Sequence, residues 1–275
     1  MTDGRYSRNE ALFGPEGQQK IAATKVTIIG VGGLGSHVAQ QLAYLGVQRQ
    51  TPVDFDLVTS SSMNRLVGAV DTDVTAKTKK VVVAKRMIAA INPGATIEPV
   101  DAKIDTPEAE AAIAAADVVF GCLDRDLPRL KLTELCSRYA KPLFDLATDT
   151  GGEGDDLWYG GRVVFANGAG CLVCRNLLDQ QEMTRDSMSL EQREVHERIY
   201  GVERGVLGET GPMVVSINGV VSSLAVTEFM VFVTGMREPV PHLIYRGHAG
   251  TVGRNNDPPE TGCYFCTGMW GSALK

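Results

Sequence analysis

A glycine-rich turn between a strand and a helix constrains this chain more than any other sequence feature. Residues 25–30 form a short β-branched run, residues 30–35 read Gly-Val-Gly-Gly-Leu-Gly, and residues 36–45 have a helical pattern. Glycines let the backbone approach a phosphate closely, and a helix N-terminus presents unpaired N–H groups. The turn therefore predicts a bound nucleotide, although close helix packing alone could also require glycines. The nucleotide-contacting glycines would be Gly30, Gly32, Gly33 and Gly35.

Strands and helices alternate along the first 150 residues. The predicted strands after the first are 51–55, 97–102, 117–122 and 142–146, and the predicted helices are 77–91, 107–115 and 127–139. This alternation indicates an α/β fold with a doubly wound, mostly parallel sheet of Rossmann type. Asp54 and Asp56 stand at the end of the second strand, where a carboxylate can accept hydrogen bonds from ribose hydroxyls.

Four of the six cysteines form two tight pairs with metal-ligand spacing. They are Cys171, Cys174, Cys263 and Cys266. Two thiolates from each pair complete a tetrahedral shell, so we expect a structural zinc site without an open position. Disulfides, a redox CxxC pair and a [4Fe–4S] cluster are the alternatives. The 88 residues between the pairs mean that the metal would tie the end of the chain to its middle.

The C-terminal half lacks the regular alternation of strands and helices seen in the first half. Residues 161–165 and 245–252 are strand-like and indicate a mixed-strand extension, and 179–204 reads as a charged surface excursion. Residues 210–233 predict an apolar helix buried in the core or in a subunit interface. Without an internal repeat or linker, we expect one domain over 1–275. Its parts would be an N-terminal helical arm at 1–24, a nucleotide-binding part at 25–150 and a zinc-stapled part at 151–275.

Charge and hydropathy exclude some classes of function. The formal net charge is -6, from 27 Lys+Arg against 33 Asp+Glu, so no basic stripe favours nucleic acid. The N-terminus has charges where a signal peptide needs an apolar region, and no run reaches the length of a membrane span. We therefore expect a soluble, cytoplasmic protein with no membrane partner.

The order of several motifs along the chain carries a family resemblance. The motifs are RYSR at 5–8, GVGGLGS at 30–36, DFD at 54–56, SSMNR at 61–65, GCLDRDLPR at 121–129 and the two cysteine pairs. Together they resemble the MoeB/ThiF-like superfamily of adenylyltransferases, which is related to ubiquitin-activating enzymes. The resemblance covers nearly the whole chain.

The resemblance implies a role for individual residues. Gly33 would contact the nucleotide and Asp54 the ribose, while Arg65 and Lys80 would bind the phosphates of ATP. Asp124 would organise Mg²⁺, and Arg8 would reach into the active site of the other subunit of a homodimer. The remaining nucleotide-binding candidates are Asp56, Ser62, Asn64 and Arg125. Ser62 departs from the pattern, since relatives often have Asn there.

Two of these assignments leave alternatives. Lys80 fits the family register counted back from the end of its helix, but Lys79 could be the active lysine. Arg8 could be an ordinary surface charge, and Asp124 could cap the helix that begins near residue 127. A carboxylate that attacks the α-phosphate of ATP approaches a polyanion, so cations and Mg²⁺ are the groups that the chemistry requires.

The implied function is ATP-dependent adenylation of the C-terminal carboxylate of a ubiquitin-like or sulfur-carrier protein with a Gly-Gly tail. Residues 175–262 contain no cysteine, which argues against a thioester step on this chain. Cys122 and Cys136 fall in a predicted buried strand and a helix, positions typical of inert thiols. Alternatives are another acceptor (a peptide C-terminus or a tRNA base), a nicotinamide oxidoreductase, and a non-catalytic scaffold for a ubiquitin-like protein.

Overall fold

Eight strands form one sheet in the computed structural model, which describes residues 4–188 and 213–270. They are β1 Lys25–Ile29, β2 Arg49–Val53, β3 Thr96–Ile97, β4 Val118–Gly121, β5 Leu143–Gly151, β6 Trp158–Ala166, β7 His242–Arg246 and β8 Thr251–Arg254. The spatial order is β3-β2-β1-β4-β5-β6-β7-β8. Strands β1 to β5 pair in parallel, and β6, β7 and β8 add to them antiparallel. The predicted mostly parallel sheet with a mixed C-terminal extension is confirmed.

Helices cover both faces of this sheet. They are α1 Ser7–Ala23, α2 Gly33–Leu45, α3 Asp71–Thr75, α4 Lys80–Ile91, α5 Pro107–Ala115, α6 Asp126–Arg138, α7 Gln180–Ser187 and α8 Val215–Thr234. Helices α1, α2, α4 and α8 pack together on one face, and α5 and α6 pack on the other. Helix α5 illustrates a local start signal, because Thr106 accepts a hydrogen bond from the Ala109 N–H and Pro107 fills the first turn.

Strand β4 contributes side chains to the cores on both faces of the sheet. Successive side chains of a strand point to opposite faces. Val118 and Phe120 therefore enter the core under α8, where the Phe120 ring stacks on Phe144 at 5.4 Å and packs against Phe229. Val119 enters the core under α5 and α6. A strand buried on both faces reads as a continuous apolar run, as this one does.

Helix α8 is the buried apolar helix expected near the C-terminus. By its length of 20 residues and its mean hydropathy of 1.6 alone, this helix could span a membrane. It nevertheless packs against α1, α2, β5 and β6 and carries buried Glu228, whose carboxylate pairs with Arg237 at 2.6 Å. Gly235, with φ 74°, ends the helix in a left-handed cap. These contacts are those of a core helix.

Some predicted boundaries are wrong for identifiable physical reasons. The single strand expected at 245–252 is two strands, β7 and β8, joined by a turn in which Gly250 has φ 64°. The strand expected at 97–102 is only two residues long, followed by an isolated bridge from Val100 to Val53. Strand β5 runs five residues beyond the expected end at 146, because the antiparallel partner β6 extends it.

Two helices also begin elsewhere than expected. Helix α2 begins at Gly33 instead of 36, so it includes part of the glycine-rich turn. The helix expected at 77–91 begins at Lys80, because Lys77 has φ 50° and Lys79 forms a bridge with Leu57. The division of one domain into 1–24, 25–150 and 151–275 stays a prediction. Of the excursion at 179–204, residues 189–204 lie outside the described residues.

Candidate active site

A cavity of about 730 Å³ opens at the carboxyl ends of β1, β2 and β4 and beside β5. Ligand sites of doubly wound sheets lie at this edge. The predicted site residues that line the cavity are Gly30, Gly32, Gly33, Asp54, Asp56, Arg65, Lys80, Asp124 and Arg125. A second cavity of about 530 Å³ lies at the opposite ends of the strands, and none of the predicted site residues line it.

The glycines of the turn are required for different reasons. Gly30 has φ 87°, and a Cβ there would lie 2.6 Å from the Cys122 carbonyl oxygen. A Cβ on Gly35 would collide with the Gly30 carbonyl oxygen, so Gly35 permits tight packing of the turn and does not line the cavity. A Cβ on Gly33 would collide with the side-chain amide of Asn218. The turn is thus held against α8 and the end of β4.

Asp54 connects β2 to the glycine-rich turn. One carboxylate oxygen accepts a hydrogen bond from the Val31 N–H at 2.7 Å, and the other from the Asp56 N–H at 2.8 Å. The side chain is buried, and burial raises the pKa of Asp54, which the charge of Lys80 opposes. The two backbone bonds fix the carboxylate at the wall of the cavity, and its contact with a ribose stays a prediction.

The two candidate lysines have different surroundings. The Lys80 ammonium lies 2.6 Å from the Asp56 carboxylate and lines the cavity, with 15% of its side chain exposed. The Lys79 ammonium instead donates to the Phe55 carbonyl at 2.7 Å and pairs with Asp101 at 3.0 Å. Lys79 does not line the cavity, so the geometry favours Lys80 as the phosphate ligand.

The loop before α3 presents only one of its three candidate residues to the cavity. Arg65 lines it, and its guanidinium donates to the Ser61 carbonyl and to the Asn64 side-chain oxygen. Asn64 donates to the Met213 carbonyl at 3.3 Å, and the Ser62 hydroxyl is buried against Thr59. Ser62 and Asn64 therefore lie behind Arg65, outside the cavity lining.

Asp124 and Arg125 follow β4 and are exposed to the cavity. Arg125, not Asp124, is the N-cap residue of α6, and no side-chain cap is present there, so Asp124 does not cap this helix. Within residues 4–188 and 213–270, the Asp124 carboxylate has no protein partner, which leaves its oxygens available to a cation. Arg125 pairs with Asp186, and Asp126 accepts from the Asp179 N–H at 2.7 Å. Helix α7 therefore packs along this edge of the cavity.

The four paired cysteines converge in a separate cluster beside α6. Their sulfur atoms all lie within 4.8 Å of one another, with 3.7 Å between Cys171 and Cys263, 3.8 Å between Cys171 and Cys174, and 3.9 Å between Cys174 and Cys266. A tetrahedral zinc with Zn–S bonds of about 2.3 Å separates its sulfurs by about 3.8 Å. A hydrogen bond from the Cys266 thiol lowers the pKa of Cys171 to about 5. The residues fit a four-thiolate metal site.

A family comparison gives this arrangement its context. The model of the family described as ThiF matches residues 6–245. The chain belongs to the ThiF family. This confirms the resemblance seen in the sequence.

Curated relatives in the ThiF family match the chain over different lengths. The SAMP-activating enzyme E1 of Haloferax volcanii is 36% identical over 141 residues, which is 50% of this chain and 52% of that protein. The molybdopterin-synthase adenylyltransferase of Escherichia coli is 37% identical over 141 residues, 50% and 56% of the two chains. The chain thus spans about half the length of these relatives. The vegetative HesA protein of Trichormus variabilis is 27% identical over 266 residues, 95% of this chain and 88% of that protein.

Solved structures show the same fold. The crystal structure of Escherichia coli MccB with ATP matches with a TM-score of 0.70 at 20% identity, over 96% of this chain and 75% of that chain. MccB with MccA-N7isoASN matches with a TM-score of 0.72 at 20% identity, over the same shares of the two chains. At this identity the likeness establishes the ThiF-type fold and nothing finer.

Arg129 in the cavity lining and Asp145 behind it had no role assigned from the sequence of this ThiF-family chain. Arg129 lines the cavity and donates to the Asp145 carboxylate, to the Leu123 carbonyl and, at 2.9 Å, to the Leu146 carbonyl. Burial raises the pKa of Asp145, and the charge of Arg129 opposes this effect. Because Arg129 ties β5 to the loop that precedes α6, it holds the segment of Asp124 in place. The sequence signal was an arginine within the 121–129 motif.

The remaining predicted functional residues lie elsewhere. Arg8 is exposed on α1 and does not line the cavity, so its role in a second subunit stays a prediction. Cys122 lines the cavity but is buried, as is Cys136 on α6, and burial raises the pKa of both thiols. A thiol with a raised pKa is a poor nucleophile at neutral pH, as expected for inert cysteines.

Proposed function

We propose that this chain adenylates the C-terminal carboxylate of a ubiquitin-like or sulfur-carrier protein at the 730 Å³ cavity. The observation that carries the proposal is the convergence of three kinds of group on one cavity: a glycine-rich helix start, the ribose-type carboxylate Asp54, and the cations Arg65 and Lys80. Membership of the ThiF family supports it, and so do the names of the two relatives that share 36% and 37% identity.

The proposed reaction needs no protein nucleophile. One oxygen of the acceptor carboxylate forms a bond to the α-phosphorus of ATP, the bond from that phosphorus to the bridging oxygen breaks, and pyrophosphate leaves with the electron pair. Arg65 and Lys80 would neutralise the phosphates, and the Gly32–Gly33 turn would donate N–H groups to them. Catalysis would then consist of positioning and charge stabilisation.

Mg²⁺ and zinc would have different roles in the proposed enzyme. Mg²⁺ bound by Asp124 and the phosphates would screen the negative charge, since Mg²⁺ is commonly held by one or two carboxylates and substrate oxygens. Zinc at the four cysteines would be structural, because a closed thiolate shell has no position for substrate. The lack of cysteine in 175–262 and the burial of Cys122 and Cys136 support an adenylation reaction without a thioester step.

The proposed enzyme would act as a homodimer in the cytoplasm. Exposed Arg8 on α1 is free to reach a second copy of the chain, which supports a homodimer in which it completes the partner's phosphate site. Dependence on ATP and on a reduced four-thiolate cluster suits the cytoplasm. The acidic net charge of -6 weighs against nucleic acid as a substrate.

A peptide C-terminus is the second candidate acceptor. It is favoured by the structural match to MccB, whose crystal structures include complexes with MccA. The cavity is open and bordered by α7, so a flexible tail of either kind of acceptor could enter it. A catalytically silent scaffold for a ubiquitin-like protein is the third candidate.

ATP–pyrophosphate exchange distinguishes these candidates. The assay would compare a Gly-Gly-ended carrier protein, the same carrier without its last two residues, a free peptide and tRNA. Exchange that requires the intact carrier supports the proposal, and exchange with the peptide alone supports the second candidate. ATP binding without exchange for any acceptor would contradict adenylation and favour the scaffold.

A further inference from the structure

One buried amide in the cavity has an unused hydrogen-bond donor. Asn218 lies in the first turn of α8 and is 1% exposed, yet it lines the cavity. Its Oδ1 accepts a hydrogen bond from the Thr148 hydroxyl at 3.2 Å, whereas its Nδ2 has no partner among the described residues. Buried polar groups are almost always paired, so an orphan donor at a ligand cavity indicates a partner on the ligand.

The surrounding residues fix the direction of this amide. Thr148 holds Oδ1 on one side, and Nδ2 lies so close to Gly33 that any Cβ there would collide with it. The side chain therefore has no room to turn towards the glycine-rich turn. Ser222, the next buried polar residue of α8, donates its hydroxyl to the Leu34 carbonyl at 3.0 Å, so it has the partner that Asn218 Nδ2 lacks among the described residues.

The order of the strands places this amide relative to the nucleotide. Asp54 follows β2, the glycine-rich turn follows β1, Asp124 follows β4, and Thr148 is on β5. Neighbouring strands lie about 4.8 Å apart, so β5 lies roughly 14 Å from β2. A nucleotide with its ribose at Asp54 and its phosphates on the turn leaves the β5 side of the cavity for the acceptor.

We propose that Asn218 Nδ2 donates a hydrogen bond to the acceptor carboxylate and positions it for attack. This inference rests on the proposed adenylation and assigns a recognition group to it. One carboxylate oxygen attacks the α-phosphorus as pyrophosphate leaves. The other oxygen becomes the carbonyl oxygen of the acyl adenylate and keeps the hydrogen bond from Nδ2. No proton changes place, because the amide donates in both states.

A pair of nucleotide probes tests the acceptor contact without an identified carrier. The probes are AMP and 5′-O-(N-glycylsulfamoyl)adenosine, a stable mimic of a glycyl adenylate, with affinities measured by calorimetry. We expect Asn218→Ala to weaken binding of the glycyl mimic about tenfold and to leave AMP binding within twofold. Thr227→Ala, which removes an exposed hydroxyl from the same helix, should change neither affinity.

A second variant covers the case in which Asn218→Ala misfolds. Asn218→Asp keeps the shape of the side chain and the bond from Thr148 but replaces the N–H donor with an acceptor, so it should weaken the glycyl mimic at least as much. Equal losses for the mimic and AMP, or no loss for either, would overturn the inference while leaving adenylation intact. Failure of the unmodified protein to bind AMP, the mimic and ATP would instead overturn the proposed function itself.

Discussion

The four-cysteine cluster leads to a large and measurable stability prediction. Replacing Cys266 with Ser removes one of the four sulfurs, all of which lie within 4.8 Å of one another. A metal bound by the four thiolates would close a loop of 88 residues between Cys174 and Cys263. Treated as a cross-link of that length, the bound metal would remove about 15 cal/mol/K of chain entropy from the unfolded state and would stabilise the fold by about 4–5 kcal/mol.

This free energy predicts the size of the thermal shift. For a chain of this length, 1 kcal/mol corresponds to about 2–4 °C, so Cys266→Ser should lower the melting temperature by roughly 10–15 °C. A zinc chelator should produce a similar shift in the unmodified protein and almost none in the variant. Metal analysis should find about one zinc per chain before chelation and much less in the variant.

The control and the refuting result are specific to the metal. Ser137 lies on α6, the helix beside the cluster, and its hydroxyl is buried. Ser137→Ala should leave both the zinc content and the effect of the chelator on the melting temperature unchanged. If the unmodified protein contains no metal, or if chelation leaves its melting temperature unchanged, the metal-clip account is wrong. A brown protein with bound iron would indicate a cluster in place of zinc.

The remaining predictions concern the cavity and its supports. Arg129→Met should destabilise the fold by about 3–5 kcal/mol in urea unfolding, because Asp145 is left buried without its partner, and adding Asp145→Leu should restore most of the loss. Lys80→Ala should lower ATP–pyrophosphate exchange by about 10²-fold, whereas Lys79→Ala should lower it only a few-fold. Arg86 hydrogen-bonds to Asp73 and lowers the pKa of this carboxyl to about 2, below the usual value of 3.8. The pair therefore stabilises the fold fully above about pH 4, and this stabilisation is lost as the pH falls towards 2. Asp73→Asn should flatten that part of the stability profile, and an unchanged profile would contradict the assignment.

The sequence predicted the features that depend on local chemistry. The strand, glycine-rich turn and helix at 25–45 are local, so the turn followed from residue types and spacing, whereas the hydrogen bond from the Val31 N–H to Asp54 was not predicted. The convergence of the four cysteines was also predicted from the sequence, because two CxxC pairs are typical of a metal site. The parallel sheet followed from the alternation of strands and helices.

Features that depend on long-range contacts could not be predicted in the same way. The Asn218 amide meets Gly33 and Thr148, which are 185 and 70 positions away, and neither contact has a sequence pattern. The split of the expected last strand into β7 and β8 depends on a turn over residues 247–250, and the predicted strand had included both of its glycines, Gly247 and Gly250. Ser62 and Asn64 were nucleotide-binding candidates from the sequence, yet of this loop only Arg65 lines the cavity.

ATP–pyrophosphate exchange by Asp124→Ala beside the unmodified protein, with Mg²⁺ and Gly-Gly-ended carriers, tests the proposed adenylation directly. Asp101→Ala serves as the matched control, because that exposed aspartate lies outside the cavity. We predict carrier-dependent exchange by the unmodified protein and by Asp101→Ala, and a loss of at least 10²-fold in Asp124→Ala. Full exchange by Asp124→Ala, or none by the unmodified protein despite measured ATP binding, would contradict the proposed adenylation at this cavity.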